Sequence, residues 1–192
     1  MKAVVLHEYG GPDKLKYEDV PDPVAAPDQL LIRLAATSVN PIDYKLRSGA
    51  MKNFYPLELP TILGRDIAGI VRAVGSKVSG FQPGDKVIAL GDHAYAELVV
   101  VSAADVAHLP EKLDLVKAAA LPLVTTTGEQ LITRGTKIQS GQTVLISGAV
   151  GSVGRSAVRT AKKAGAMVIA GVRKPTVSPS AWTRMHSSPC FR

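Results

Sequence analysis

The stretch SGAVGSVG, residues 147–154, decides how the second half of this chain folds. It follows an apolar run at 144–147 that is typical of a short buried strand, and it leads into 152–164, whose spacing indicates a helix. Gly165 is the expected end of that helix, because glycine readily takes the left-handed backbone needed there. Residues 167–172 contain no polar side chain and are typical of a parallel strand covered on both faces. This order predicts one strand–helix–strand unit.

The glycine spacing of this turn indicates a dinucleotide site. Gly151 stands where a pyrophosphate would approach the N–H groups at the helix start, and Gly154 would let the helix pack closely on the strand. The first position of the usual G-x-G-x-x-G pattern is Ala149 here, with Gly148 just before it. The candidate cofactor-binding residues of the turn are Gly148, Ala149, Val150, Gly151, Ser152, Val153 and Gly154. A tight turn that binds nothing is the alternative.

The residues after the second strand predict which cofactor would bind. NAD-binding units usually place Asp or Glu about 20 residues beyond the turn, where it holds the ribose hydroxyls. This chain has Arg173 and Lys174 there, and a guanidinium pairs well with a 2′-phosphate. We therefore expect NADPH rather than NADH; the alternative is that both residues are simply a solvated strand end.

Charge is distributed unevenly along the 192 residues. All 16 acidic residues precede Gln130, and the segment from Gln130 onward carries ten Lys and Arg and no acid. This asymmetry predicts either an anionic partner for the second part, which would be a nucleotide phosphate or a nucleic acid, or a chain that lacks an acidic remainder. Nucleic acid is the less favoured reading because no aromatic residue is interleaved with these cations before Trp182. The single cysteine excludes a disulfide framework, and the chain start matches neither a signal peptide nor a membrane span.

Residues 1 to 122 predict a β-rich region with few helices. Short apolar runs such as KAVVL, DIAGIVRAVG and DKVIAL alternate with dense turn signals, which fits a partly open barrel or sandwich. Asn40 and Pro41 predict the start of a short helix that Gly49 would end. Asp43 lies four residues before Arg47, so we expect it to start this helix and to form a local ion pair. A further helical segment would begin at Asp114, break at Pro122 and close at Gly135.

Several motifs in this order resemble the medium-chain dehydrogenase/reductase superfamily, and within it the zinc-free quinone oxidoreductases of the ζ-crystallin type. They include SVNPIDYKLRSG, LPTILGRDIAGIVRAVG, FQPGDKVIAL, AAALPLVTTTGEQL and VLISGAVGSVGRSAVRTAKKAGA. The resemblance implies a GroES-like substrate domain at 1–122, a partial NADP-binding Rossmann domain of one βαβ unit at 123–174, and a non-family tail at 175–192. It implies a cofactor in the cleft between the domains, and hydride transfer from NADPH to a quinone or an activated C=C bond.

The same resemblance assigns the remaining site residues. Asn40 would lie near the nicotinamide and acceptor, Thr127 would contact the nicotinamide carboxamide, and Tyr55 would line the acceptor pocket. From the residues alone, Asn40 could equally cap the short helix and Tyr55 could be ordinary core. No metal is expected, because Gly64-Arg65-Asp66 replaces the Gly-His-Glu of zinc-dependent relatives and the cysteine near Asn40 is absent. His93 and His108 are expected to be surface or core residues rather than ligands.

The family pattern ends at Lys174. Residues 175–192 have no periodicity and are rich in Ser and Pro, which predicts disorder and resembles a frameshifted end. Such a chain would expose the apolar strand at 167–172 and bind NADPH weakly. The alternative function is therefore an inactive fragment with a folded GroES-like domain. We expect a cytoplasmic location, no membrane association, and the family's homo-oligomer only for a full-length chain.

Overall fold

A computed structural model describes residues 1–172 and forms two compact units, the first Met1–Leu123 and the second beginning at Val124. The two cofactor-selecting residues predicted from the sequence, Arg173 and Lys174, and the tail after them lie outside the described residues.

The first unit is built from two antiparallel sheets. The larger has the strand order β7-β3-β5-β6-β8, and the smaller has the order β2-β1-β4. Their strands are β1 (Lys2–Leu6), β2 (Leu15–Asp19), β3 (Gln29–Ala36), β4 (Thr61–Ile62), β5 (Asp66–Val74), β6 (Lys86–Leu90), β7 (Leu98–Ser102) and β8 (Val106–His108). The β-rich prediction for this region is confirmed, although the short strands β2, β4 and β8 are not evident from the apolar runs.

The core of the first unit lies on one face of the five-stranded sheet. Period-2 alternation sends every second side chain of the central strands to this face. Leu30 and Ile32 on β3 and Ile67 on β5 have no exposed surface. Aliphatic residues rather than aromatic ones fill this core, as the composition requires.

Three helices flank the sheets of this unit or begin within it. They are α1 (Pro41–Arg47), α2 (Leu115–Ala118) and α3 (Pro122–Gln130). Asp114 caps α2 by accepting the Lys117 N–H at 2.9 Å, as expected. Pro122 begins α3 after the break, and a wider helical turn, Leu131–Thr136, continues it. Gly135 does not end this segment; Lys137 takes the left-handed conformation instead, with φ 51°.

The second unit contains the predicted strand–helix–strand arrangement: β9 (Thr143–Ser147), α4 (Ser152–Lys163) and β10 (Met167–Gly171). The two strands pair in parallel, with Thr143 beside Met167 and Ser147 beside Gly171. Gly165, with φ 79°, follows the end of α4 as predicted.

Helix α4 covers only one face of this two-stranded sheet. Ile146 packs there against Ala157 and Ala161 in a small cluster. On the opposite face Leu145 is 67% exposed and Met167 is 66% exposed. Within the described residues the sheet is therefore covered on one face, not on both, and the predicted exposure of the second strand is confirmed.

Candidate functional site

The first candidate site is centred on Asp66, which begins β5 and has no exposed surface. Its Oδ1 accepts the Leu123 N–H at 2.6 Å, and its Oδ2 accepts the Asn40 Nδ2 amide at 2.7 Å. The Ser38 hydroxyl also donates to Oδ2, and the Thr37 hydroxyl donates to the Asp66 carbonyl at 2.7 Å. A buried carboxylate is costly unless hydrogen bonds replace its hydration, and this one has three donors. Asp66 thus fixes the segment before α1 and the start of α3 to the central strand.

Asn40 precedes α1 and is only 6% exposed. Its amide nitrogen donates both to Asp66 and to the Ser38 Oγ, at 3.1 Å. Its backbone N–H donates to the Asp43 Oδ2 at 2.7 Å, which is half of a capping box. Both amide hydrogens are therefore used inside the first unit, and Asn40 occupies the N-cap position of α1.

Asp43 is buried and has a different partner from the one expected. No ion pair joins it to Arg47; the Arg47 Nε instead donates to the Gly10 carbonyl at 3.2 Å. The Asp43 Oδ2 accepts the Tyr95 hydroxyl at 2.8 Å, while its Oδ1 is buried with no hydrogen-bond partner. The ion-pair prediction is wrong because α1 turns the Asp43 carboxylate into the fold, away from the exposed helix side that an i, i+4 pair needs.

Tyr95 is held close to the backbone before Asp66. Gly64 has φ 94°, and a Cβ there would lie 2.5 Å from the Tyr95 ring. Burial raises the pKa of the Tyr95 phenol, and the hydrogen bond to Asp43 raises this pKa further. Tyr95 therefore stays a neutral donor to Asp43 throughout the physiological pH range.

The other two residues assigned by resemblance lie elsewhere in the chain. Tyr55 is 60% exposed in the loop after α1, so it is not a core residue. Thr127 lies half-buried on α3 in the second unit. Tyr55 is not among the residues that hydrogen-bond in the network around Asp66.

The second candidate site is the turn between β9 and α4. Gly148 takes the left-handed conformation with φ 65° and has open space around its Cβ position. The Gly151 N–H donates to the Gly148 carbonyl at 2.9 Å, which closes the turn just before α4 begins. A Cβ on Gly151 would meet only that carbonyl oxygen, at 3.2 Å, so the rest of the space around the Gly151 Cβ position is open. The first N–H groups of the 12-residue helix have no acceptor within it and can hold an anion.

Gly154 and Gly128 serve packing rather than ligand approach. A Cβ on Gly154 would lie 2.2 Å from the Gly148 carbonyl oxygen. A Cβ on Gly128 would lie 2.5 Å from the Val153 carbonyl oxygen, because α3 crosses closely against α4. The Ser156 hydroxyl joins the same two helices by donating to the Thr125 carbonyl at 2.8 Å. The packing role predicted for Gly154 agrees with this geometry.

The histidines named as unlikely ligands have surface positions. His93 is exposed in a turn with φ 64°, and the His108 ring stacks on Phe81 with centroids 4.6 Å apart. Arg65, which stands where zinc-dependent relatives have His, pairs with Asp92 at 3.1 Å. Among residues 1–172, no group of three His, Cys, Asp or Glu side chains is arranged to hold a metal ion.

In the same part of the chain, no helix is both long and apolar enough to cross a membrane.

Residues 26–111 match the alcohol dehydrogenase GroES-like domain. The quinone oxidoreductase of Sus scrofa is 38% identical over 172 residues, which cover 88% of this chain and 52% of that protein. The solved quinone oxidoreductase of Coxiella burnetii superposes with a TM-score of 0.78 at 34% identity, covering 98% of this chain and 61% of the other. A mycobacterial protein solved in complex with NADPH gives a TM-score of 0.79 at 31% identity, covering 98% and 57%.

These matches define the class by similarity: residues 26–111 match the GroES-like domain, and the chain resembles the medium-chain dehydrogenase/reductase superfamily. Within that superfamily its relatives are quinone oxidoreductases, so the resemblance drawn from the motifs is confirmed. The chain spans about half the length of the curated relatives it matches.

The sequence motifs do not single out Asp66 or Tyr95 as site residues. For Asp66 a signal is present, because it is an acid at the start of the apolar run IAGIV. A carboxylate at the start of a fully buried strand must find donors, and Ser38 and Asn40 are the polar residues before α1. Tyr95 had no such signal, because its partner Asp43 is 52 residues away in the chain.

Proposed function

We propose that this chain carries the acceptor-binding and first cofactor-binding parts of an NADPH-dependent quinone or enone oxidoreductase that works without zinc. The observation that carries the proposal is the Gly148–Gly154 turn, whose open sides at Gly148 and Gly151 leave a helix N-terminus accessible to a pyrophosphate. The named relatives support the reaction class, and the NADPH complex of a mycobacterial relative supports the cofactor.

The cofactor, when bound, supplies the hydride for the acceptor. In this proposal the turn from Gly148 to Gly154 holds its pyrophosphate, and Thr127 on α3 contacts its carboxamide. Arg173 and Lys174 bind its 2′-phosphate, a role that rests on the sequence alone. Arg155 strengthens the turn, because its Nε donates to the Val150 carbonyl at 2.9 Å.

The first unit contributes the acceptor side of the reaction. Asn40 has both amide hydrogens engaged, so we assign it a positioning role rather than that of a donor to the acceptor oxygen. Tyr55 offers an exposed ring and phenol that can contact a planar quinone and donate to the oxygen where negative charge develops. Arg65 in place of a histidine ligand, together with its ion pair to Asp92, supports chemistry without zinc.

The proposed cofactor site is tested by titrating the chain with NADPH and with NADH, following intrinsic and nicotinamide fluorescence. Gly151→Ala should weaken NADPH binding at least about tenfold, because its methyl group would occupy the closest approach of the pyrophosphate. Gly135→Ala is the matched control, since its Cβ would meet nothing nearer than 3.8 Å. Arg173→Ala should reduce the preference for NADPH over NADH. Equal binding by the Gly151 and Gly135 variants would contradict the site.

The alternative is that the chain folds but does not catalyse NADPH oxidation. The two-stranded sheet, exposed on one face, favours it, because the described residues supply only two parallel strands of a dinucleotide-binding fold. NADPH oxidation with 1,4-benzoquinone separates the two functions. Turnover that Tyr55→Phe reduces supports the reductase, whereas NADPH binding without turnover supports the alternative. A cytoplasmic location stays a prediction, and one plant relative is named as chloroplastic.

A further inference from the structure

A groove of about 440 Å³ on the first unit lies apart from the Asp66 network. Its walls come from the start of the chain and from neighbouring strands of the larger sheet: Met1, Asp22, Arg33, Leu34, Arg72, Glu97 and Leu98. This volume is in the range of small-molecule sites. None of these residues belongs to the turn or to the acceptor side described above.

Two arginines on adjacent strands face this groove. Arg33 on β3 lies opposite Ile70 on β5, and Arg72 lies two residues further along β5. Arg72 is the extra residue of a β-bulge, since Leu31 pairs with Ala73 while Ile32 pairs with Val71, and regular strand alternation does not hold at a bulge. The structure places both arginines in the lining of the same groove.

The acidic residues of the groove are already engaged with the chain start. The Asp22 Oδ1 accepts from the Met1 amine at 2.6 Å, and the Glu97 Oε2 accepts the Lys2 N–H at 2.8 Å. By contrast, the side chains of Arg33 and Arg72 have no ion pair or hydrogen bond within residues 1–172. The groove therefore presents two guanidinium groups whose donors are unused.

We propose that this groove binds a small organic dianion, a phosphate monoester or a dicarboxylate with a short apolar body. Guanidinium groups bind both kinds of anion through paired, charge-assisted hydrogen bonds. Leu34 and Leu98 line the groove beside the arginines and would contact the apolar body of the ligand. The site is separate from the proposed cofactor turn and does not depend on it.

The probes for this site are phenyl phosphate, phthalate and benzoate, added to the full chain. The readout is the NMR shift of the arginine Nε–H signals of Arg33 and Arg72, together with the backbone amide signals of Ser152–Gly154. Phenyl phosphate and phthalate should both saturate the arginine signals, and benzoate, with one charge, should bind at least about fivefold more weakly. Preference between the two dianions identifies the headgroup.

Arg33→Gln and Arg72→Gln should each weaken dianion binding at least about tenfold. Lys77→Gln is the matched control, since it removes one exposed positive charge outside the groove and should change binding less than about twofold. Phosphate held at the cofactor turn would shift the Ser152–Gly154 signals equally in all four proteins, which separates that site from this one. Absence of saturable arginine shifts, or equal affinity in the arginine and lysine variants, would overturn the proposal.

Discussion

The two candidate sites reach their geometry by opposite means. In the first unit, side chains determine the geometry: Asp66 accepts hydrogen bonds from Ser38, Asn40 and Leu123. In the second unit, the lack of side chains determines it, because Gly148 and Gly151 leave open space at the turn and Gly154 lets α4 lie against the Gly148 carbonyl. The first site should therefore fail when a group is removed, and the second when a group is added.

The largest effect is expected from removing the centre of the network. Asp66→Ala removes the acceptor shared by the buried Asn40 amide, the half-buried Ser38 hydroxyl and the half-buried Leu123 N–H. Each unsatisfied group costs roughly 1–3 kcal/mol, so we expect a loss of about 3 kcal/mol or more in the unfolding free energy of the first unit. Hydrogen exchange of the β5 amides measures this loss independently of the second unit.

The control for this change is Asp92→Ala. Asp92 is an exposed partner of Arg65, and the loss of a surface ion pair costs about 1 kcal/mol or less. If Asp66→Ala and Asp92→Ala accelerate β5 exchange equally, the network does not stabilise the first unit in the way proposed.

An intermediate effect is expected from adding one methyl group to the second unit. In Gly154→Ala the new Cβ would lie 2.2 Å from the Gly148 carbonyl oxygen, so the turn or α4 must shift. Overpacking of this kind costs about 1–3 kcal/mol. Hydrogen exchange of the β9 and β10 amides should accelerate accordingly, with the β5 amides unchanged.

Gly135→Ala provides the comparison for that variant, since the new methyl group contacts nothing closer than 3.8 Å. A helical Gly→Ala change without a clash is neutral or stabilising. Faster β9 exchange in Gly135→Ala than in Gly154→Ala would show that close packing at the turn is not what limits the second unit.

The smallest effect concerns the edge of the network and appears only at alkaline pH. Tyr95 has a raised pKa in the folded chain because it is buried and donates to Asp43. A raised folded pKa means that the unfolded chain ionises first, so stability is complete below the unfolded value of about 10 and falls above it. Urea unfolding between about pH 9 and 11 should show this decline.

Tyr95→Phe tests the origin of that decline. The variant loses one hydrogen bond to Asp43, at a cost of about 1 kcal/mol near neutral pH, but it should lose less stability than the wild type above pH 10. Tyr17→Phe is the control, because Tyr17 is 71% exposed. Identical alkaline slopes for Tyr95→Phe and the wild type would show that Tyr95 does not contribute to this decline.

Much of the second unit follows directly from the sequence. The strand, turn, helix and strand between Thr143 and Gly171 are local, and each has its own signal: apolar runs, glycines at fixed spacing, and Gly165 as the helix stop. The start of α1 at Asn40 is equally predictable from the sequence, because Pro41 and Asp43 are local helix-start signals.

The resemblance to the family, the β-rich and strand–helix–strand architecture, and the place of the glycine turn could be predicted from the sequence, because these depend on neighbouring residues. The tertiary structure was needed to show that Asp66 binds Asn40 and Leu123, that Asp43 pairs with Tyr95 instead of Arg47, and that Arg33 and Arg72 share a groove. Those partners are 26 to 57 residues apart for the hydrogen bonds, and the packing of loops and helix starts in the first unit, rather than sequence spacing, brings them together. A buried polar group needs a hydrogen-bond partner, but that partner can be identified only once the folded structure is known.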